Sequence, residues 1–207
     1  MKWQDLLHKV SQEPLFRTGL LTAGEDLLRV RIQISRWVDD GKLLRLRKGI
    51  YALAEPYRKS NPHPFLVANF IKPSSYVSLQ SALSFYSMIP EYVPLVISVT
   101  TLRPETISNA FGDFEYRHVK QSNFFGYELI QLGQGQSAFI ATPEKALLDL
   151  LYLTPDADSI EYLSELRLQN LEKLNRKRLK DFSKKFNTPK IDRCFKYIVS
   201  LMNEYSA

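Results

Sequence analysis

The stretch from Leu28 to Leu53 leaves a folding chain few choices. Val30, Ile34, Trp37 and Val38 fall at i, i+4, i+7 and i+8, the spacing of a helix that buries one face. Gly41, directly after Asp40, is the residue expected to end that helix. The text then changes period to KLLRLRKGIYAL. Leu44, Leu46 and the pair Ile50/Tyr51 bracket Arg45, Arg47, Lys48 and Gly49, which predicts two short strands joined by a tight basic turn. Upstream, Trp3, Leu6, Leu7 and Val10 recur at helical spacing until Pro14 stops them, and a short apolar piece runs to Leu21. Two starts are open to the long helix. Thr22 with Glu25 fits a capping box, whereas Gly24 followed by Asp26 as N-cap would split the region into a short helix, a turn and a second helix. We prefer the split version. Three helices followed by a hairpin is the element order of a winged helix-turn-helix, predicted over residues 1–54.

AEPYRKSNPHP follows, with three prolines and several polar residues, and reads as a linker over 55–63. Residues 64–207 then carry a larger mixed α/β pattern. Phe65–Ile71 and SLQSALSFYSM are helix-like. Strands are expected at 95–101, 114–119, 127–132 and 137–142, and Pro143 opens the helix PEKALLDLLYL at its first position. From Ser159 onward the pattern is helical throughout. The expected fold class is therefore α+β, with a winged helix-turn-helix followed by a mixed α/β domain that ends in helices.

Charge points to the partner. The 207 residues hold 28 Lys+Arg against 22 Asp+Glu, a net +6, and 44% are hydrophobic, enough for a buried core. Within residues 28–51 alone, seven cations (Arg29, Arg31, Arg36, Lys42, Arg45, Arg47, Lys48) stand against Asp39 and Asp40. Arg29, Gln33 and Arg36 share one helix face. Arg reads guanine and Gln reads adenine in a major groove, and a cationic hairpin tip grips phosphates beside it. The candidate DNA-binding residues are thus Arg29, Arg31, Gln33 and Arg36 on the helix, with Arg45, Arg47 and Lys48 on the hairpin. Any amphipathic helix turns Arg and Gln to water. The helix-to-hairpin order together with the concentrated charge decides for double-stranded DNA. A second basic run, residues 166–190, has nine cations against two anions and reads more simply as a solvated outer face.

Other chemistries find little footing. A single cysteine, Cys194, excludes an intrachain disulfide, and His8, His63 and His118 lack metal-ligand spacing. Gly133-x-Gly135-x-x-Ala138 imitates a dinucleotide fingerprint but leads into a strand-like segment and Pro143, not a helix. Asp39 and Asp40 diverge by about 100° on a helix, so they do not form a carboxylate pair. Ser81 and Ser84 have no nucleophile elbow, and Glu144 is explained by the dipole of the helix it begins. No catalytic set, cofactor or metal is expected. The aromatic residues are not spaced as a base-stacking platform for RNA. MKWQDLLHKVSQEP lacks the apolar centre of a secretory signal and no apolar run would span a bilayer, so the expected location is cytoplasmic, with no membrane partner.

Three blocks carry a family likeness. QISRWVDDGKLLRLRKGIYAL (33–53), SYVSLQSALSFYSMIPE (75–91) and ATPEKALLDLLYL (141–153) resemble the AbiEi family, antitoxins of bacterial abortive-infection, type IV toxin–antitoxin systems. The core R-W-x-x-x-G-x-L-x-x-L-x-x-G-x-Y runs from Arg36 to Tyr51. The resemblance implies an N-terminal winged helix-turn-helix that binds operator repeats and represses its own operon. It also implies a C-terminal domain needed for antitoxicity and a cognate toxin with a nucleotidyltransferase fold, countered directly or through its target. Carried onto this chain, the recognition helix is Leu28–Asp40 and the wing Arg45–Tyr51. The reading from another class is a protein-interaction module that sequesters a partner without binding DNA.

Overall fold

In a computed structural model that describes residues 1–21 and 26–204, the amphipathic N-terminus forms α1 (Trp3–Val10), with Leu6 and Val10 buried. A two-residue strand β1 (Phe16–Arg17) and a short helix α2 (Thr18–Leu21) follow. The long helix α3 spans Leu27–Asp39. Asp26 caps it, its carboxylate accepting the Leu28 N–H at 2.9 Å, a contact of the kind that stabilises a helix by about 1 kcal/mol. Of the rival start signals, Thr22, Gly24 and Glu25 lie outside the described residues. At the other end the Lys42 N–H reaches back to the Trp37 carbonyl at 2.8 Å while Gly41 sits at φ +70°, a left-handed cap that disfavours any side chain.

The basic hairpin forms as β2 (Leu43–Arg47) and β3 (Ile50–Leu53), and β1 adds to it in the order β1-β3-β2. Period 2 then places its residues in two different cores. Leu43 and Leu53 join Leu6, Val10, Val30, Ile34 and Trp37 under the helices, with Tyr51 packed against them. Leu46, Ile50 and Ala52 face the opposite way and belong to the large core of residues 64–204. One hairpin therefore serves as a wall of both cores.

The expected linker is fastened rather than loose. Gln136, buried, accepts the His63 N–H at 2.7 Å and donates to the Asn61 carbonyl at 2.9 Å, while the Arg58 guanidinium lies 5.3 Å from the centre of the Phe111 ring. His63 also caps α4 (Pro64–Ile71), its Nδ1 accepting the Phe65 N–H at 3.1 Å. Only a neutral imidazole can accept there, and burial lowers the His63 pKa from 6.5. The unfolded chain then takes up this proton first, so stability is retained above that pKa and declines below it. The melting temperature is expected to fall between about pH 7 and about pH 5, and His63→Asn, which caps without titrating, should flatten that fall.

The second sheet has six strands in the order β6-β7-β5-β4-β9-β8 among the described residues. These are β4 (Ser75–Val77), β5 (Val96–Thr100), β6 (Glu105–Asn109), β7 (Gly112–His118), β8 (Tyr127–Gly133) and β9 (Gln136–Ala141). Sequence periodicity anticipates four of them and misses β4 and β6. Helices α5 (Leu79–Phe85), α6 (Pro143–Leu153), α7 (Ile160–Glu165), α8 (Arg176–Phe186) and α9 (Pro189–Glu204) complete the chain. The helical reading of everything after Ser159 is corrected at 166–175, which is irregular apart from a 3-10 turn at Leu171–Lys173.

Beneath this sheet lies a wholly buried ion pair on α6, Lys145 with Asp149. The second Asp149 oxygen accepts the Tyr76 hydroxyl at 3.0 Å and the Ser78 hydroxyl at 2.8 Å. The Lys145 ammonium sits among three rings, 5.3 Å from Tyr76, 5.0 Å from Phe125 and 4.8 Å from Phe186. Burial drives the carboxyl up and the ammonium down from their ordinary values, and each is drawn back by the other. Glu144 is buried too, its Oε1 accepting the Asn175 N–H at 2.6 Å, so more than a helix dipole accounts for it.

Candidate nucleic-acid interface

At about 100° per residue, burying Val30, Ile34 and Trp37 fixes what α3 shows to solvent. Leu28, Ile32 and Ser35 lie opposite the core. Arg29 and Arg36 stand on one edge with Gln33 below them, and Arg31 stands on the other edge, toward the hairpin. Leu28, Arg29, Arg31, Ile32, Ser35 and Arg36 are all exposed, and Gln33 is half-buried. The Arg29 side chain is 88% exposed, 3.6 Å from the capping Asp26. The rest of the described chain leaves this side of α3 open.

Between α3 and the hairpin runs a cleft of about 570 Å³, lined by Arg31, Ser35 and Asp39 on the helix and by Arg45, Lys48 and Gly49 on the strands and turn. Three cations from two elements thus meet one groove, with Asp39 the acid among them. The turn that carries Lys48 needs Gly49, whose φ is +82°, and it is tied back by the Thr18 N–H to the Gly49 carbonyl at 3.0 Å. Arg31, Arg36, Arg45 and Lys48 form no ion pair with any described residue, so their charge is available.

Arg47 faces the other way. A bulge between Arg45 and Arg47 breaks the alternation of β2, and the Arg47 guanidinium turns to Glu105 on β6 at 3.0 Å. Lys72 holds the same Glu105 oxygen at 2.5 Å and donates to the Arg103 carbonyl at 2.7 Å. Burial alone would raise the Glu105 carboxyl, but hydrogen bonds from Lys72 and Arg47 outweigh it and hold the pKa below its usual range. Six of the seven predicted residues therefore flank or line the open side of α3 and its cleft, and Arg47 ties the hairpin to the larger body. Lys72 and Glu105, which fix that tie, carry no signal in the sequence. Their partner is 58 residues from Glu105, and nothing local marks the pair.

Five of the nine cations of the second basic run are engaged by other parts of the chain. Arg167 pairs with Glu91 at 2.7 Å, Arg178 lies 3.6 Å from Glu128 and 3.7 Å from Glu144, and Lys185 lies 4.7 Å from the Phe125 ring centre. Lys173 and Lys190 donate to the carbonyls of Tyr86 and Thr154. These contacts tie the C-terminal segment to α6, to the ends of α5 and α6, to nearby loops and, through Glu128, to β8. Among the described residues, no group of three or more His, Cys, Asp or Glu could hold a metal ion, and no helix is long and apolar enough to cross a membrane. No family model and no curated protein matches the chain.

Proposed function

We propose that this protein is a DNA-binding transcriptional repressor whose winged helix-turn-helix comprises α1–α3 and the β1–β3 sheet, and that it is the antitoxin of a type IV toxin–antitoxin system. One observation carries the DNA half of the reading. An exposed helix and an exposed turn bring Arg31, Arg45 and Lys48 to one cleft, with Arg29 and Arg36 on the helix's outer edge, all open to solvent. In this reading the helix enters the major groove and the turn lies along the adjacent backbone. The antitoxin half comes from the resemblance of residues 33–53, 75–91 and 141–153 to AbiEi antitoxins, with a nucleotidyltransferase-type toxin as the implied adversary.

Titrating the full chain against a labelled duplex from upstream of its own gene tests the first half. With about five phosphate contacts, log K should fall against log salt with a slope of roughly −4.5. Binding that is absent or indifferent to salt favours the partner-sequestering module instead. For the second half, growth arrest caused by an adjoining nucleotidyltransferase gene should be relieved when this chain is co-expressed. Arrest that persists removes the antitoxin role.

A further inference from the structure

The N-terminal half of the outermost ridge of α3 is apolar, Leu28 and Ile32 preceding Ser35 and Asp39, which an ordinary solvent-facing helix side would not require. Leu28 is 67% exposed and Ile32 is 54% exposed, one turn apart and directly opposite the buried stripe. Arg29 and Arg36 stand on one flank and Arg31 on the other. An aliphatic ridge between guanidinium groups matches the cross-section of a B-DNA major groove. Phosphates line the two rims of the groove, and the 5-methyl of thymine is the apolar group on its floor. The alternatives fit less well. An apolar protein partner would strip water from three guanidinium groups without supplying anions. A second copy packed about a two-fold axis on this ridge would bring the Arg29, Arg31 and Arg36 guanidinium groups of both copies into one interface, an excess of like charge.

We infer that Leu28 and Ile32 read thymine methyl groups, so that the preferred site contains thymines within the width of one recognition helix. This rests on the DNA-binding reading and adds to it the kind of base that is recognised. Arginines alone would favour guanine, whereas the ridge gives the helix a contact that only a thymine in the groove satisfies.

The experiment selects duplexes from a randomised pool with the full chain. Affinity is then measured for the best duplex and for versions in which each thymine is replaced in turn by deoxyuridine, which lacks only the methyl. At one or two positions the replacement should weaken binding about fourfold, the loss expected for one buried methyl. Leu28→Ala and Ile32→Ala should bind the thymine and uracil forms equally, and because both side chains are exposed, the melting temperature should not move. A selected duplex that tolerates uracil everywhere overturns the inference while leaving DNA binding intact. A chain that retains no duplex at all fails both readings. A dimer that Leu28→Ala dissociates, with no sensitivity to uracil, also overturns it and assigns the ridge to self-association.

Discussion

Replacing Asp149 with alanine is expected to cost about 3–5 kcal/mol of stability, the largest loss at any single position considered. The carboxylate is fully buried, and removing it strands the Lys145 ammonium among Tyr76, Phe125 and Phe186. It also leaves the hydroxyls of Tyr76 and Ser78, now donating at 3.0 and 2.8 Å, without their acceptor. The partner change Lys145→Met tests the cause. The single variant leaves a buried carboxylate with two hydroxyl donors, a gentler insult than a bare ammonium. The double variant Lys145→Met/Asp149→Leu removes both charges and should recover a substantial part of the loss. Urea unfolding of the wild type, Lys145→Met, Asp149→Leu and the double variant closes the cycle. Equal destabilisation by the single and double variants would mean that the pair is incidental to the core.

Reversing the charge of Arg45 and Lys48 together is the second large effect. Both are exposed at the cleft, so Arg45→Glu/Lys48→Glu should leave folding unchanged. Affinity should drop for every duplex to a similar extent, and the salt slope should shrink by roughly two units. Arg47→Ala should behave differently. Its guanidinium is engaged by Glu105, so its removal should leave the salt slope nearly unaltered and lower the melting temperature slightly. Anisotropy titrations from about 50 to about 200 mM salt separate the two cases. A slope that responds to Arg47 and ignores Arg45 and Lys48 would place the DNA on another surface.

The helix and hairpin of residues 27–53 are legible because their signals are local: a 3.6-residue stripe, a capping aspartate, a terminating glycine and then a short Leu–Arg alternation leading into a basic turn. Strand β4 is only three residues long and wholly buried, too short to show a period. Strand β6 alternates only between half-buried and exposed positions, which leaves it no apolar stripe. The candidate cations are recognisable one by one from charge. What the sequence hides is direction: a single bulged residue sends Arg47 to a partner far along the chain. Lys145 and Asp149 are visible as an i, i+4 pair but look like a solvated helix face. Their burial follows from Tyr76 on β4 and Ser78 just after it, which close over this turn of α6 from a segment 71–73 residues away.

The hairpin that walls both cores makes the chain indivisible in practice. Severing it after Ala54 would bare Leu46, Ile50 and Ala52 on one fragment and leave the large core open on the other. Either half would then tend to clump or loosen, and loss of activity by a truncated piece would report that damage rather than which half does the work. Assigning roles to the two ends of this molecule therefore calls for point substitutions in the intact chain.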